Sequence, residues 1–462
     1  MADSIARQIY NRLPPTGQNV ALSLYGVNNR RRRRRWMPII AALHDSEHWP
    51  EDRQREYVGD RLRRLLVDAV RQVPRYESLR PRLAEIEDPA NDVFELLALF
   101  PPVSREEVLA DQDAFLSRAF DRRRLTKTLS SGTTGTPFAT WMEPEVFLTN
   151  DALGWRRTLW AGYQPGDWIA RLVGDPVIPL SIRDPRPAYR VSWTDRRLYF
   201  SAYHLDESTA QRIADCLVAR RPAFLMGYPS ALDALFRFCG GRTDLSAWHP
   251  RAVLYSSEPL YEHQFETIRA VIDAPMRGWY SSAERVISAA ECEEGQYHLS
   301  LVDGYVEGQF AELPVHQPAR ITGLLNRAMP LIRYELGDTV VPLPGQSCAC
   351  GRTLPLIDRV LTKVEDSLRT PSGREISGSI LTWAFKELPG LKKSQIVQDS
   401  RSSVEVRVQT APADFARVQA VLEARLRDLV FDELQVKFRR VDQLDVLASG
   451  KSRFVVSEIR DA

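Results

Sequence analysis

The sequence predicts an α/β protein with two domains, and three observations carry this prediction. The chain has 462 residues, which is too long for one simple core, since a domain usually takes roughly 100–200 residues. Residues 224–272 repeat a short apolar strand, a turn of small or polar residues and a helical pattern, which is typical of a buried parallel sheet. Residues 404–438 instead alternate strand, helix and strand, which indicates a second, smaller α+β domain.

The N-terminal part of the chain is predicted to be helical. A helical pattern runs from Glu51 to Gln72 and ends ahead of Pro74, because proline lacks the backbone donor that a helix interior needs. Before it, Arg30 to Arg35 form an unbroken basic run. Such a run is typical of a solvated helix face with counter-charges elsewhere, or of a patch that binds anions or nucleic acid. We favour the solvated face because the net charge of the whole chain is only +2.

The middle of the chain contains two strand–turn–helix units. A strand over 224–228 leads through Pro229 and Ser230 into a predicted helix over 231–238. A strand over 252–255 leads through the turn 256–258 into a predicted helix over 262–272. In parallel sheets, ligands bind at the carboxyl ends of the strands. These turns are therefore where the sequence predicts a site.

The C-terminal part is predicted to form a separate domain. Apolar residues alternate with polar ones over 404–408, recur at helical spacing over 415–429, and alternate again over 434–438. We place the boundary after residue 362, so that the two domains are 1–362 and 363–462.

Composition excludes several classes of protein. Apolar residues make up 44% and charged residues 26% of the chain, so it is not a disordered protein. The 62 basic and 60 acidic residues nearly cancel, so neither nucleic acid nor a membrane is an expected partner. No apolar run reaches the roughly 18 residues needed to cross a bilayer. An odd count of five cysteines, without a secretory leader, predicts a reducing, cytoplasmic setting.

The segment Leu129 to Pro137, Leu-Ser-Ser-Gly-Thr-Thr-Gly-Thr-Pro, is the most informative stretch of the sequence. Two glycines among small hydroxyl residues allow backbone N–H groups and hydroxyls to converge on an anion. The segment lacks the Lys-Ser/Thr ending of a Walker loop, so a P-loop nucleoside triphosphatase is disfavoured. Taken alone, such a cluster is more often a simple turn.

This segment and four others resemble, in order along the chain, the motifs of the adenylate-forming enzymes, in the form found in phenylacetate–CoA ligases and their CapK-like relatives. The matching segments are 130–137, 257–260, 280–284, 333–338 and 450–451. Any one of them is a weak signal, but their joint order along nearly the whole chain is specific. The resemblance implies a large adenylate-forming N-terminal domain with mixed sheets and a small mobile C-terminal domain.

The family's chemistry is the joining of a carboxylic acid to AMP from ATP, with release of pyrophosphate, followed by transfer of the acyl group to a thiol. Coenzyme A is the acceptor that the resemblance favours, while an amine, a hydroxyl or a carrier-protein thiol stays open. The identity of the small-molecule acid and the oligomeric state also stay open. Both reactants of the first step are anions, so fixed positive charge and oriented donors are required.

The resemblance implies nucleotide-binding roles for residues of the large domain. A phosphate-binding loop would hold the β- and γ-phosphates through Ser130, Ser131, Gly132, Thr133, Thr134 and Gly135. Ser257 and Glu258 would form the turn on the adenine side, and Tyr280 would stack near the adenine. Asp338 would accept hydrogen bonds from the ribose hydroxyls.

The resemblance also implies catalytic roles at the two ends of the site. Glu284 would hold Mg²⁺, a hard cation that prefers carboxylate and phosphate oxygens. Lys451 would bridge the substrate carboxylate and the α-phosphate during adenylation. Because Lys451 lies on the small domain, rotation of that domain would gate the two half-reactions. Lys363 would contact the ribose at the hinge.

Four positions depart from the family pattern. Ser281 replaces a glycine, Ala283 replaces a serine or threonine before the glutamate, Arg285 stands where the family often has glycine, and Lys363 replaces an arginine. A lysine offers a point charge where arginine offers a planar fork. The departures at Ser281, Ala283 and Lys363 motivate an alternative hypothesis, in which the chain is a descendant that binds nucleotide without turnover.

A separate set of residues predicts a metal site. Cys292 and His298 form one close pair, and Cys348 and Cys350 form another. Three cysteines and one histidine are the ligands of a structural, tetrahedral zinc site, but the spacing is not that of a zinc finger, so the residues alone leave the site open. CapK-like relatives carry a similar zinc-binding arrangement, and the resemblance therefore favours structural Zn²⁺.

Overall fold

The computed structural model of the chain describes residues 5–130, 138–311, 319–358, 367–385, 388–430, 433–444 and 454–459. The N-terminal part is helical, as predicted. Its helices are α1 (Ile5–Arg12), α2 (Pro15–Ser46), α3 (Glu51–Gln72), α4 (Leu83–Glu87), α5 (Val93–Leu96) and α6 (Arg105–Ala110).

The bounds of these helices follow from local chemistry. Proline at the first position of α2 needs no helical hydrogen-bond partner for its nitrogen. α3 has Glu51 and Asp52 in its first turn, where the helix dipole favours negative charge, and it ends just before Pro74, which confirms the prediction. Ser104 and Glu107 form a reciprocal capping box at the start of α6.

A β-hairpin and a large mixed sheet follow. Their elements are β1 (Thr126–Ser130), β2 (Phe138–Met142), α7 (Pro144–Trp160), β3 (Ile169–Val173), β4 (Tyr189–Ser192), β5 (Arg197–Ser201), α8 (Glu207–Arg220), β6 (Phe224–Gly227), α9 (Pro229–Phe238), β7 (Ala252–Ser256), α10 (Glu262–Val271), β8 (Met276–Ser281), β9 (Ser288–Glu291), β10 (Tyr297–Leu299), β11 (Gly304–Val306), β12 (Arg320–Gly323), β13 (Tyr334–Glu335) and β14 (Leu356–Ile357). The two predicted strand–turn–helix units are confirmed as β6–α9 and β7–α10.

The central sheet has the strand order β14-β10-β9-β8-β7-β6-β3-β5-β4. β5, β3, β6, β7 and β8 are parallel to one another, and the strands at both edges are antiparallel. A second, three-stranded sheet has the order β11-β12-β13.

Both faces of the central sheet are covered, because alternate residues of its strands are apolar on each side. Leu172, Leu225 and Val253 belong to a core that includes apolar residues of α8, α9 and α10. Ile169 and Phe224 pack on the opposite face, against α7. A layer of helices thus lies on each side of the sheet, which confirms the α/β prediction.

The C-terminal elements form a smaller α+β unit. They are β15 (Ser367–Arg369), β16 (Glu375–Ser377), α11 (Gly378–Phe385), β17 (Leu391–Ser400), β18 (Ser403–Thr410), α12 (Phe415–Val430), β19 (Gln435–Val441) and β20 (Val455–Ser457). The strand order β19-β18-β17-β20 confirms the predicted strand–helix–strand pattern. The Arg374 guanidinium of this unit donates to the Tyr203 carbonyl at 2.5 Å and pairs with Glu433 at 2.8 Å. The predicted boundary at 362/363 lies outside the described residues and stays a prediction.

Candidate active site

Neighbouring turns meet at the carboxyl edge of the central sheet. β6 and β7 are adjacent and parallel, so the residues that follow them lie on the same side. Glu258 Oε2 accepts a hydrogen bond from the Ser230 backbone N–H at 3.0 Å, and Ser257 has a φ of +74°, a left-handed conformation that is unusual for serine. Glu258 Oε1 is buried without a hydrogen-bond partner among the described residues. This turn therefore keeps an acceptor that a ligand can use.

Tyr280 and Asp338 are in direct contact. Tyr280 lies on β8, and Asp338 follows Gly337, whose φ of +81° turns the chain after β13. The Tyr280 hydroxyl donates a hydrogen bond to Asp338 Oδ2 at 3.0 Å across a separation of 58 residues. Burial and the neighbouring carboxylate raise the pKa of Tyr280 well above its ordinary value, so the hydroxyl keeps its proton and remains a donor. The fold therefore brings the matched segments 280–284 and 333–338 into contact.

Glu284 lies close to the same tyrosine, on the turn between β8 and β9. Its side chain is buried, with a relative exposure of 6%. Arg105 Nη1 of α6 lies 3.8 Å from Glu284 Oε1, and the Tyr334 hydroxyl hydrogen-bonds to the same carboxylate, which together with burial raises the pKa of Tyr334. A buried carboxylate with one cation and one donor is held in place, and its oxygens are of the kind that Mg²⁺ prefers.

Arg333 forms a salt bridge just before β13, the strand that contains Tyr334 and precedes Asp338. Arg333 Nε and Nη2 donate to the two oxygens of Glu307 at 2.7 and 3.4 Å, and Nη1 donates to the Phe100 carbonyl at 2.9 Å. Arg333 itself has a φ of +52°. These contacts fix the start of β13, and they indicate that Arg333 positions Tyr334 and the turn to Asp338.

The predicted metal ligands also come together, at the β14-β10-β9 edge of the central sheet. Their ligand atoms lie within 4.8 Å of one another. Cys292 Sγ is 3.6 Å from Cys348 Sγ, and Cys350 Sγ is 3.4 Å from His298 Nε2. A zinc tetrahedron with bonds of ~2.3 Å to sulfur and ~2.0 Å to nitrogen has edges of about 3.8 and 3.5 Å. The donor set and its spacing therefore fit zinc.

Comparison with known proteins shows which sequences this chain is similar to. Residues 368–458 match the model of the CapK C-terminal domain. Protein CapK of Staphylococcus aureus is 21% identical over 374 residues, which cover 78% of this chain and 80% of that protein. The chain is therefore similar to CapK over most of its length.

Solved structures extend the likeness of this CapK-like chain to its fold. A 2-hydroxyisobutyryl-CoA ligase, in complex with 2-HIB-AMP and CoA in the thioesterification state, superposes with a TM-score of 0.53 at 18% identity, over 89% of this chain and 91% of that one. An open conformation of the same ligase superposes with a TM-score of 0.52 at 17% identity, over 89% and 93%. The CapK-like chain therefore has the fold of the adenylate-forming ligases, with a large N-terminal and a small C-terminal part.

The cysteine–histidine cluster of the CapK-like chain is supported by a shell of hydrogen bonds and charges. His298 Nδ1 lies 3.3 Å from the Leu354 carbonyl, which favours the tautomer that leaves Nε2 free for a metal. Burial lowers the pKa of His298 to about 4, so its imidazole is neutral at pH 7, as a ligand must be. The Arg352 guanidinium hydrogen-bonds to Cys350 and would offset the negative charge of three thiolates around one Zn²⁺.

Arg352 also ties the cluster to the N-terminal helices. Its Nε lies 3.5 Å from Glu47 Oε2, and its guanidinium stacks over the Trp160 ring at 4.3 Å. The Trp160 indole in turn donates to Glu47 Oε1 at 2.9 Å. Glu47 directly follows α2 and Trp160 ends α7, so the cluster is linked to both helices.

Several predicted site residues fall outside the described part of the chain. These are Ser131, Gly132, Thr133, Thr134 and Gly135 of the phosphate loop, together with Lys363 and Lys451. Ser130 is described as the last residue of β1. The roles of all these residues stay predictions. None of the described helices combines the length and apolar content that crossing a membrane requires.

Two residues of the site were not predicted from the sequence. Arg105 gave no signal, because its contact with Glu284 joins segments far apart in the sequence. Tyr334 lies inside a matched motif, but nothing in the motif shows that its hydroxyl reaches Glu284. Arg285, one of the four departures from the family pattern, follows Glu284 and has a φ of +59°, a left-handed conformation that glycine adopts more readily.

Proposed function

We propose that the chain joins a carboxylic acid to AMP, releasing pyrophosphate from ATP, and then transfers the acyl group to a thiol, with coenzyme A as the first acceptor to test. The observation that carries this proposal is the hydrogen bond between Tyr280 and Asp338, with the Glu284 carboxylate near enough to raise the pKa of the same tyrosine. These residues come from two separate motifs that the family resemblance assigns to nucleotide binding. The fold likeness to a ligase solved with an acyl adenylate and CoA supports the same reaction class.

The described residues have the chemistry that nucleotide binding requires. Asp338 offers a carboxylate to the ribose hydroxyls, and the Tyr280 hydroxyl holds that carboxylate in one orientation. Glu284, held by Arg105 and Tyr334, would be the protein ligand of Mg²⁺. When bound, Mg²⁺ would offset the charge of the phosphate oxygens, which otherwise repel the attacking carboxylate. Ser257 and Glu258 would border the adenine through the turn after β7.

The remaining roles extend this proposal to residues outside the described part of the chain. The loop Ser130 to Gly135 would bind the β- and γ-phosphates. Lys451 would hold the substrate carboxylate against the α-phosphate, and Lys363 would contact the ribose. Rotation of the domain 363–462 would bring Lys451 into place and later admit the acceptor thiol. An amine, a hydroxyl or a carrier-protein thiol is an alternative acceptor.

Exchange of radioactive pyrophosphate into ATP tests the first half-reaction. Pools of aryl and fatty acids are supplied to the wild type, to Lys451→Ala, and to Lys437→Ala as a control at an exposed lysine of the same domain. We expect acid-dependent exchange that falls at least about 100-fold in Lys451→Ala and is unchanged in Lys437→Ala. Fractionating the active pool then identifies the acid, and thioester formation with coenzyme A tests the acceptor.

The opposite outcome is informative when ATP binding is measured on the same samples by calorimetry. If ATP binds and no acid in a broad pool supports exchange, the ligase proposal is rejected for those acids. That result would favour the nucleotide-binding descendant without turnover, which the residues Ser281, Ala283 and Lys363 motivate. Restoring the family residues at these three positions would then be expected to raise exchange.

We propose in addition that the cysteine–histidine cluster holds one structural Zn²⁺. The edges of 3.6 and 3.4 Å and the closed set of four ligands support this proposal, since catalytic zinc sites keep one position open. Elemental analysis of the purified chain is expected to give one zinc per chain, and Cys350→Ser is expected to lose it. A metal-free wild type that is fully folded would contradict the proposal.

A further inference from the structure

The arginine run of α2 is divided between two directions. Arg32 Nη2 lies 2.8 Å from Asp151 Oδ2, and Arg33 Nη2 lies 2.5 Å from Asp195 Oδ1. These two side chains point towards the fold and pair with acidic groups of α7 and of the β4–β5 turn. Arg32 and Arg33 are thus the arginines of the run that have described counter-charges.

The other four arginines of the run point outward. They are Arg30, Arg31, Arg34 and Arg35, and all four residues are exposed. Within the described part of the chain, none of them forms an ion pair, a hydrogen bond or a ring contact. Four like charges within two helical turns repel one another, so an anionic partner would stabilise this surface. Among the described residues, the predicted counter-charges are therefore present for only two of the six arginines.

Exposed apolar side chains lie on both sides of these arginines. Before them, Val20, Leu24 and Val27 are spaced by four and three residues and are 54%, 68% and 38% exposed. After them, Met37 is 60% exposed. Trp193, 51% exposed, lies beside the same helix, because its backbone N–H donates to Ser23 Oγ at 3.2 Å. We call these five apolar residues and the four outward arginines the outer face of α2.

We propose that the outer face of α2 binds the surface of an anionic lipid bilayer. Arginine side chains bind lipid phosphates, and each basic residue near an anionic leaflet strengthens binding. Leucine, methionine and tryptophan beside them can enter the boundary between headgroups and acyl chains. The binding is peripheral, since the helix runs along the surface of the fold and packs on α7 and β4 through its other side.

Two features favour a lipid surface over other anionic partners. The residues from Val20 to Met37 form a convex row roughly 26 Å long at 1.5 Å per residue, which suits a plane. Apolar side chains on both sides of the arginines have no place on the phosphate backbone of a duplex, whose non-specific binding is purely electrostatic. A net charge of +2 does not reveal this surface, because acidic residues elsewhere cancel a local excess of positive charge.

Sedimentation with vesicles tests the proposal on the full-length chain. Vesicles of phosphatidylcholine alone are compared with vesicles that also contain phosphatidylglycerol. We expect binding only to the anionic vesicles and a decline as salt rises. A variant with Arg30→Gln, Arg31→Gln, Arg34→Gln and Arg35→Gln should bind several hundred-fold more weakly, from about fivefold for each arginine. Because these side chains have no described partners, the variant should fold normally.

A matched control removes the same charge elsewhere. Arg53→Gln, Arg64→Gln, Arg80→Gln and Arg82→Gln change exposed arginines of other helical segments, and should leave vesicle binding within about twofold, as expected when distant exposed charges are screened. Leu24→Ser with Trp193→Ser should weaken binding without changing its dependence on salt.

Three outcomes would overturn the proposal. The first is an absence of binding to anionic vesicles by the wild type. The second is an equal loss of binding in the control variant, which would show an effect of net charge alone. The third is tight binding of duplex DNA or of an acidic protein, abolished by the arginine substitutions, while vesicles are not bound. The exchange assay is independent of all three, so failure here leaves the proposed reaction untouched.

Discussion

The turns with Glu258 and Glu284 and the cysteine–histidine cluster border the same central sheet, but their polar groups are satisfied differently. In the cluster, the ligand atoms face one another within 4.8 Å, and the surrounding groups bond to them or to neighbouring helices. At the carboxyl edge, Glu258 Oε1 is buried without a described partner, and Arg105 Nη1 lies 3.8 Å from Glu284 Oε1, beyond hydrogen-bond distance. The cysteine–histidine cluster would be complete once a single ion is bound, whereas the carboxyl edge leaves groups available for an exchangeable ligand.

This difference predicts opposite consequences of substitution. Buried polar groups that bind one another contribute to stability, and their loss leaves partners unsatisfied. Groups reserved for a ligand contribute mainly to binding and catalysis. Substitutions in the cluster should therefore lower stability, and substitutions at the carboxyl edge should lower activity in a folded protein.

The largest expected effect is that of Cys350→Ser. Loss of one zinc ligand should lower the free energy of unfolding by more than about 3 kcal/mol, because metal binding to a structural site is coupled to folding. Chemical denaturation with and without a zinc chelator measures this. The chelator should destabilise the wild type to the level of the variant and leave the variant unchanged. Ser347→Ala, at an exposed neighbouring position, is the control.

Glu284→Gln should have the next largest effect, on activity. Removing the charge that would hold Mg²⁺ should lower acid-dependent pyrophosphate exchange by about 100-fold, while the denaturation midpoint changes little. Glu266→Gln, at an exposed position of α10, should leave exchange unchanged. A large loss of stability in Glu284→Gln would show that this carboxylate stabilises the fold as the cluster residues are expected to do. That result would contradict the difference expected between the two sites.

Arg352→Gln tests whether a residue beside the cluster supports zinc binding without affecting exchange. The substitution removes the guanidinium that bonds to Cys350 and lies beside Glu47 and Trp160. We expect zinc affinity to fall by about 10- to 100-fold, as for other partners of metal ligands, without a change in exchange at saturating zinc. Arg352→Lys should restore part of the affinity, since it keeps the charge but not the planar fork. Competition with a chromophoric chelator measures both variants.

The last expected effect concerns the pH dependence of stability at Asp303. Burial raises the pKa of this carboxyl from 3.8 to about 7, although the nearby hydroxyls of Ser288 and Ser300 and the charge of Arg156 act to lower it. The folded state then binds the proton more tightly than the unfolded state, so the stabilising contribution is complete below pH 3.8 and is lost as pH rises to 7. The slope is at most about 1.4 kcal/mol per pH unit.

Asp303→Asn tests this assignment. Because the asparagine does not titrate, the free energy of unfolding should differ less between pH 5 and pH 8 in the variant than in the wild type. Denaturation curves at the two pH values measure the difference. Identical pH dependence in the two proteins would contradict a raised pKa for Asp303.

Much of the fold was predictable from the sequence because it rests on local patterns. Helix α3 was predicted from its helical pattern and the proline that follows, α9 and α10 from the short apolar strands and turn residues before them, and α12 from apolar residues at helical spacing. The order of the matched motifs likewise indicated which turns would form a site. These features depend on neighbours a few residues apart, so one sequence contains the information.

Only the tertiary structure decided which distant groups meet. It placed the Tyr280 hydroxyl on Asp338 and Arg105 beside Glu284, and it divided the arginine run of α2 into two paired and four outward side chains. These outcomes depend on how strands and helices pack across long separations, where periodicity carries no information. The sequence by itself determined the elements and the candidate chemistry, and packing determined which side chains are satisfied within the fold and which remain free for a partner.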